Sequence, residues 1–226
     1  MAVFVIGDTH LSGSVNKPMD IFGGAWENYT EKLKSNWIRT VGSQDTVVIA
    51  GDVSWGMSLD ETLCDFKLLS SLPGRKVILK GNHDYWWDTV SKMTRFLNEN
   101  GIYDIEFIYN SCVSADGFAL CGTRGWMDQT TEQDRKIIAR EAGRLERSLM
   151  SAPQGTERVV FMHYPPVYDS GYTEEFITVM QKYDVKRCFY GHLHASSIRK
   201  AVQGTHFGMD FFLVSADSID FLPLNI

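Results

Sequence analysis

Short, nearly continuous apolar runs recur along this chain, and most stop abruptly at glycine, aspartate or histidine. Ala2–Ile6 runs into Gly7-Asp8, Thr46–Ala50 into Gly51-Asp52, and Lys76–Leu79 is followed by Gly81–Asp84. Further on, Phe118–Cys121 precedes Gly122-Thr123-Arg124, Arg158–Met162 precedes His163, and Arg187–Tyr190 precedes Gly191. Runs of this kind predict strands buried on both faces. Between them the spacing turns helical. Glu27–Val41 places Tyr29, Leu33, Trp37, Ile38 and Val41 close to helical spacing, and Leu59–Leu72 shows Leu63, Phe66, Leu69 and Leu72. Asp88–Asn98 predicts a helix stopped by Gly101, and Thr173–Tyr183 another. Thr131–Met150 is so rich in charge, with Asp134, Arg135, Arg140, Glu141 and Arg144 around Ile138, that it predicts a solvated surface helix. The alternation describes an α/β domain. After Gly191 the pattern predicts antiparallel strands at Ser197–Val202, His206–Phe207 and Asp210–Ala216, completing a second sheet. Leu11–Ala25 is the longest loop.

Length and composition narrow this picture. A chain of 226 residues with 44% hydrophobic content suits one domain, 1–226, with a sizeable core. The net charge of −6 disfavours a long nucleic-acid duplex or an anionic membrane as partner. No run reaches the roughly 18 apolar residues of a membrane span. Met1–Ile6 reads as a first strand rather than a signal peptide. Cys64, Cys112, Cys121 and Cys188 form no C-x-x-C pair and are expected to be reduced, mostly buried thiols of a cytoplasmic protein.

The polar residues at the strand ends carry the candidate chemistry. They are Asp8 and His10, Asp52, Asn82-His83-Asp84, His163, and His192 with His194. Taken singly, each has a plain structural reading: Asp8 and Asp52 suit turns or caps, and His163 suits a hydrogen-bonded core histidine. Together they are carboxylate, amide and imidazole donors suited to transition metals. In an open α/β sheet the carboxyl ends of the strands bring such residues to one edge.

In order and in kind these motifs resemble the calcineurin-like metallophosphoesterase superfamily. The resemblance implies two packed mixed β-sheets flanked by helices, a four-layer α/β/β/α sandwich. It implies two divalent transition-metal ions, Mn, Fe or Zn, the first on Asp8, His10, Asp52 and His194. The second would take Asp52, Asn82, His163 and His192, with Asp52 bridging. Two carboxylates, two dications and a bridging hydroxide leave a centre of about +1, suited to a phosphate anion. By the same resemblance the hydroxide attacks phosphorus and His83 assists the leaving group, with Asp84 fixing its tautomer and raising its basicity. The alternative for His83-Asp84 is a helix cap.

Arg124 at a strand end suits either a phosphate oxygen or a salt bridge. Trp55, Tyr85, Trp86 and Trp87 suit either a wall for an organic group or packing of loops onto the core. His206 reads as structural. Superfamily protein phosphatases show Gly-Asp-x-x-Asp-Arg-Gly and Gly-Asn-His-Glu, whereas this chain has Gly51-Asp52-Val53-Ser54-Trp55-Gly56 and Gly81-Asn82-His83-Asp84. It is closer to the bacterial phosphohydrolases and cyclic-nucleotide phosphodiesterase-like members. The expected substrate is a small phosphoester, a diester or phosphorylated metabolite. A phosphomonoesterase, protein phosphatases included, is the alternative, and a non-catalytic metal-binding scaffold a further one. Substrate, metal and oligomeric state are left open by the sequence.

Overall fold

The computed structural model describes residues 1–226. In chain order the elements are β1 Val3–Ile6, α1 Tyr29–Thr40, β2 Thr46–Ala50, α2 Leu59–Ser71, β3 Arg75–Leu79, α3 Val90–Glu99, β4 Ile105–Ile108, β5 Val113–Ala115, β6 Phe118–Thr123, α4 Glu132–Met150, β7 Glu157–Met162, β8 Val167–Tyr168, β9 Gly171–Tyr172, α5 Glu174–Lys182, β10 Arg187–Tyr190, β11 Gly204–His206, β12 Met209–Leu213 and β13 Leu224–Asn225. One sheet runs β13-β1-β2-β3-β4, the other β11-β12-β10-β7-β6-β5, and β8 pairs with β9. β1 to β4 are mutually parallel, as are β6, β7, β10 and β12.

Alternation along each strand sorts side chains into three apolar layers. Val3, Val5, Val48, Ala50, Val77 and Leu79 of the first sheet meet Leu120, Val159, Phe161 and Phe189 of the second. Phe4, Ile6, Val47, Ile49 and Ile78 turn the other way, onto Leu33 and Trp37 of α1, Phe66 of α2 and Met93 of α3. On the far side Cys121, Val160, Met162 and Tyr190 pack on Leu145 and Leu149 of α4 and Phe176 of α5. The result is helix, sheet, sheet, helix: the expected four layers. A backbone bridge joins the two sheets beside the site, where Gly7 N–H donates to Val214 O at 2.7 Å and Ala216 N–H to Gly7 O at 2.9 Å.

Three sequence expectations need correction. The helix at Thr131–Met150 is not merely solvated: Ile138, Ala142, Leu145 and Leu149 recur at helical spacing and are buried on the second sheet. Its dense charge hid that stripe, and even Glu141 is buried, taken by Thr123 Oγ1 at 2.6 Å and Arg144 at 2.6 Å. The strand expected at Ser197–Val202 is a 3₁₀ turn, Ala195–Lys200, and β12 is antiparallel only to β11, lying parallel to β10. Among the cysteines, Cys121 and Cys188 are buried, but Cys64 is exposed and Cys112 half-buried. Four short edge or loop strands, β5, β8, β9 and β13, and the interrupted run of β4 gave too little pattern to be foreseen.

Candidate metal centre

Every candidate ligand lies just past the carboxyl end of a parallel strand: Asp8 and His10 after β1, Asp52 after β2, Asn82 after β3, His163 after β7, His192 and His194 after β10. Two sheets therefore aim seven donors at one place. The chain reverses sharply there, with left-handed backbone at Asp8 (φ 58°), His10 (φ 44°), Asp52 (φ 51°) and His192 (φ 72°). Such conformations are costly for residues with a Cβ and persist only where neighbours enforce them. Here the first two loops are zipped together: Asp8 N–H donates to Gly51 O, His10 N–H to Asp52 O and Leu11 N–H to Val53 O, each at 2.9 Å. Glycines make room for the acids. A Cβ at Gly81 would collide with the Asp52 carboxylate and backbone, and one at Gly191 with the Asp8 carboxylate.

Asp8, His10, Asp52 and His194 each present a ligand atom within 4.8 Å of the others. His10 Nε2 and His194 Nε2 stand 3.2 Å apart, and His194 Nε2 is 3.4 Å from Asp8 Oδ1. A second set adjoins it. Asn82 Oδ1 lies 2.6 Å from His163 Nε2 and 2.9 Å from His192 Nδ1. His163 Nδ1 points at the Ala50 carbonyl at 3.2 Å, which suits it to donate there and leaves Nε2 to face the cluster. Asp52 belongs to both sets. Its Oδ1 accepts from His83 N–H at 2.7 Å, while Oδ2 is buried without any hydrogen-bond partner. That oxygen sits 3.8 Å from His10 Nε2 and 3.5 Å from His163 Nε2. An orphaned buried carboxylate oxygen is expensive, and a cation on either side would satisfy it. The donor set, oxygen and imidazole, fits divalent transition metals.

The electrostatics have the same cause. Burial, then the negative charge of Asp8, push the Asp52 carboxyl up to about 8. Burial also works to raise Asp8, but His194, His163 and His10 overcome it and hold Asp8 well below the usual carboxylate range. His194 is driven up to about 10: burial opposes this, and Asp8 and Asp217 outweigh burial. Burial, then the neighbouring His163, push His192 down to about 3. A dication would displace the proton from His194 and draw Asp52 into its ionised form.

The remaining candidates divide. His83 is half-buried, its ring centroid 5.8 Å from His10 and 4.5 Å from Trp55, beside the cluster but outside it. Asp84 does not touch the His83 ring, so its expected role there is corrected. Its carboxylate instead accepts from Gly81 N–H (2.7 Å), Val53 N–H (2.8 Å), Asp52 N–H (3.0 Å) and Trp86 Nε1 (3.1 Å), holding the second and third loops together. Burial, then the charges of His163 and His194, lower the His83 imidazole from its ordinary value. Trp86, expected at a substrate wall, is 3% exposed and packs on Phe66 and Phe107. Trp87 packs on Phe107 and Tyr109. Tyr85 is exposed, its hydroxyl 3.5 Å from His83 Nδ1, and Trp55 stacks on His10 with centroids 4.8 Å apart. Arg124 follows β6, its guanidinium 5.3 Å over the Trp126 ring and 3.8 Å from Glu141. His206 is held by the Gln203 carbonyl, away from the centre.

Two residues escaped the sequence reading. Trp26, buried at the end of the long loop, sets its ring edge against His10 and His194 with centroids 5.9 and 5.8 Å away. Asp217 accepts from Ala195 N–H at 2.8 Å and lies 3.4 Å from His194 Nδ1, leaving Nε2 for the cluster. The signal for Asp217 was present: it follows the run of β12, as the other acids follow theirs. A carboxylate behind a ligand histidine fixes its tautomer and strengthens it as a donor. Asp217→Asn is therefore expected to weaken metal binding by roughly 10–100-fold, read by competition with a chromophoric chelator. Unchanged affinity would reduce Asp217 to a cap on Ala195.

The family model for calcineurin-like phosphoesterases matches residues 1–196 of this chain. Among solved structures, the phosphopantetheinyl hydrolase of Mycobacterium tuberculosis is similar at TM-score 0.59 and 12% identity, covering 100% of this chain and 95% of that one. A protein of Thermus thermophilus is similar at TM-score 0.54 and 10% identity, covering 96% and 89%. A protein of unknown function from Aquifex aeolicus gives 0.50 and 14%, covering 99% and 95%. No curated protein matches. No helix is long and apolar enough to cross a membrane.

Proposed function

Since this chain belongs to the calcineurin-like phosphoesterase family and is thereby a metal-dependent phosphoester hydrolase, we propose that it uses a two-cation centre on small phosphodiesters or phosphorylated metabolites bearing an organic group. The observation that carries the two-cation reading is Asp52 Oδ2, buried, unpartnered and set between the His10 and His163 nitrogens. Asp8, His10, Asp52 and His194 would hold one cation, and Asp52, Asn82, His163 and His192 the other. Bound there, the cations supply Lewis acidity toward phosphoryl oxygens and an activated water. The chain's own residues do the rest. His83 stands on the open side of the cluster and, in its imidazolium form, gives a proton to the departing alkoxide oxygen. Trp55 and Trp26 flank the ligand histidines and exclude water from them. Tyr85 also lines a cavity of about 440 Å³ whose wall is half apolar, with Met57, Leu59, Trp86, Trp87 and Phe96, and half polar or charged, with Ser58, Asp60, Asp88, Lys92, Arg95 and Glu99, room for the organic part of a substrate. A fold neighbour that is a phosphopantetheinyl hydrolase supports hydrolysis as the reaction class.

The preference for diesters rests on charge. A centre near +1 balances a diester monoanion, whereas a monoester dianion asks for further cations. Arg124 stands 3.8 Å from the already paired Glu141 and over the Trp126 ring, with its Nε buried and unpartnered, and Lys17 lies over the Trp55 ring at 5.1 Å; neither makes a polar contact with the ligand cluster. A screen of phosphate mono- and diesters with Mn²⁺-loaded protein tests this. The expected result is a higher kcat/KM for bis-p-nitrophenyl phosphate than for p-nitrophenyl phosphate. A tenfold advantage for the monoester, about 1.4 kcal/mol of transition-state binding, would overturn it and make Arg124 a phosphate-binding residue.

A further inference from the structure

Away from the metal centre, the fold brings together two cysteines that the sequence keeps apart. β5 and β6 form a hairpin whose register is Val113↔Leu120, Ser114↔Ala119 and Ala115↔Phe118. Continued by one step, that register sets Cys112 directly opposite Cys121. The connecting residues Asp116 (φ 47°) and Gly117 (φ 84°) are both left-handed, the conformation of a two-residue primed turn. Such a turn is closed by a hydrogen-bonded pair, here Ala115 with Phe118, and the pairs then alternate. Ser114 with Ala119 is therefore a non-hydrogen-bonded pair, and so is Cys112 with Cys121. Accordingly the Cys112 N–H does not reach across the hairpin: it donates to Ser151 Oγ at 2.8 Å. Opposed α-carbons of a non-hydrogen-bonded pair lie about 4.5 Å apart, inside the range of about 4.4–6.8 Å that a disulfide spans.

Both side chains are on the α4 face. Cys121 is buried in the layer between the second sheet and α4, and Cys112 packs against that same layer while remaining half-exposed. Cys121 Sγ lies 3.6 Å from the Ser148 carbonyl of α4. The other thiols have no such geometry. Cys188 is two strands from Cys121 through Val160, about 10 Å at the usual strand spacing, and Cys64 lies on α2 at the opposite side of the sandwich.

We propose that Cys112 and Cys121 are a thiol–disulfide site, oxidised by low-molecular-weight disulfides through the reachable Cys112. The Cys112 thiolate attacks one sulfur of the reagent RSSR, forming a mixed disulfide and releasing RS⁻, which takes up a proton. Cys121 then gives up its proton, attacks the Cys112 sulfur and expels the second RS⁻. In sum, two cysteine thiols and RSSR become one protein disulfide and two RSH. The bond would staple the edge strand β5 to β6, the strand that delivers Thr123 and Arg124 to the border of the metal centre.

The test is to incubate the native, full-length protein with glutathione disulfide, quench with acid, and map disulfides by mass spectrometry. The expected product has lost about 2 Da and carries a single cross-linked peptide pair joining Cys112 to Cys121. Cys112→Ser should abolish that loss and Cys64→Ser should retain it. Oxidation should raise the Tm by on the order of 5 °C, because the unfolded chain then carries a closed loop. Four free thiols after incubation, cross-links through Cys64 or Cys188 alone, or a 112–121 bond that forms only in denaturant would each overturn the proposal.

Discussion

Asp52→Asn is expected to lower kcat by about 10³-fold or more, a loss at least as large as removing one preorganised electrostatic group, and to cut metal retention at both positions. The substitution keeps the Oδ1 contact with His83 N–H but removes the negative charge shared between the two donor sets. Asn82→Ala should cost less, because it removes one neutral ligand from one set. The fold should survive Asp52→Asn, since β1 to β4 and their helices are packed independently of the carboxylate. Measured kcat, metal content and circular dichroism together decide the matter. Wild-type activity in the Asp52→Asn protein, or greater damage from Asn82→Ala, would remove Asp52 from the bridging position.

The second large effect is expected at His83. If His83 protonates the leaving oxygen, His83→Ala should lower turnover of alkyl esters by roughly 10²–10⁴-fold, the usual worth of a general acid. Esters releasing p-nitrophenolate should suffer far less, since that group departs unprotonated. Metal content should stay at the wild-type level, because His83 contributes only its backbone N–H to Asp52. An equal loss on both substrates, together with lost metal, would make His83 a structural residue or a ligand.

What the sequence could and could not disclose follows from how the centre is built. The candidate ligands were legible because each ends an apolar run, and parallel strands necessarily bring such ends to one edge. The four-layer arrangement was implied by resemblance. Side-chain direction within a loop was not legible. Asn82, His83 and Asp84 are consecutive, yet Asn82 faces the histidines while Asp84 turns inward onto three backbone N–H groups. Trp86 follows Asp84 into the core for the same reason, while Tyr85 between them stays exposed. Trp26 lay in a loop without periodicity, and only the folded chain brings it to His10 and His194. In α4, charge at nearly every turn masked a regular apolar stripe. The facing of Cys112 and Cys121 depends on hairpin register, which the apolar pattern of β6 alone does not specify.

The most direct test of the two-cation centre is a stoichiometric titration of chelator-stripped protein with Mn²⁺, following bound metal and hydrolysis of bis-p-nitrophenyl phosphate in the same samples. The centre predicts about two ions bound per chain, with activity absent in the stripped protein and complete only as the second ion binds. Full activity in the presence of chelator, or saturation of both binding and activity at a single ion, would contradict it.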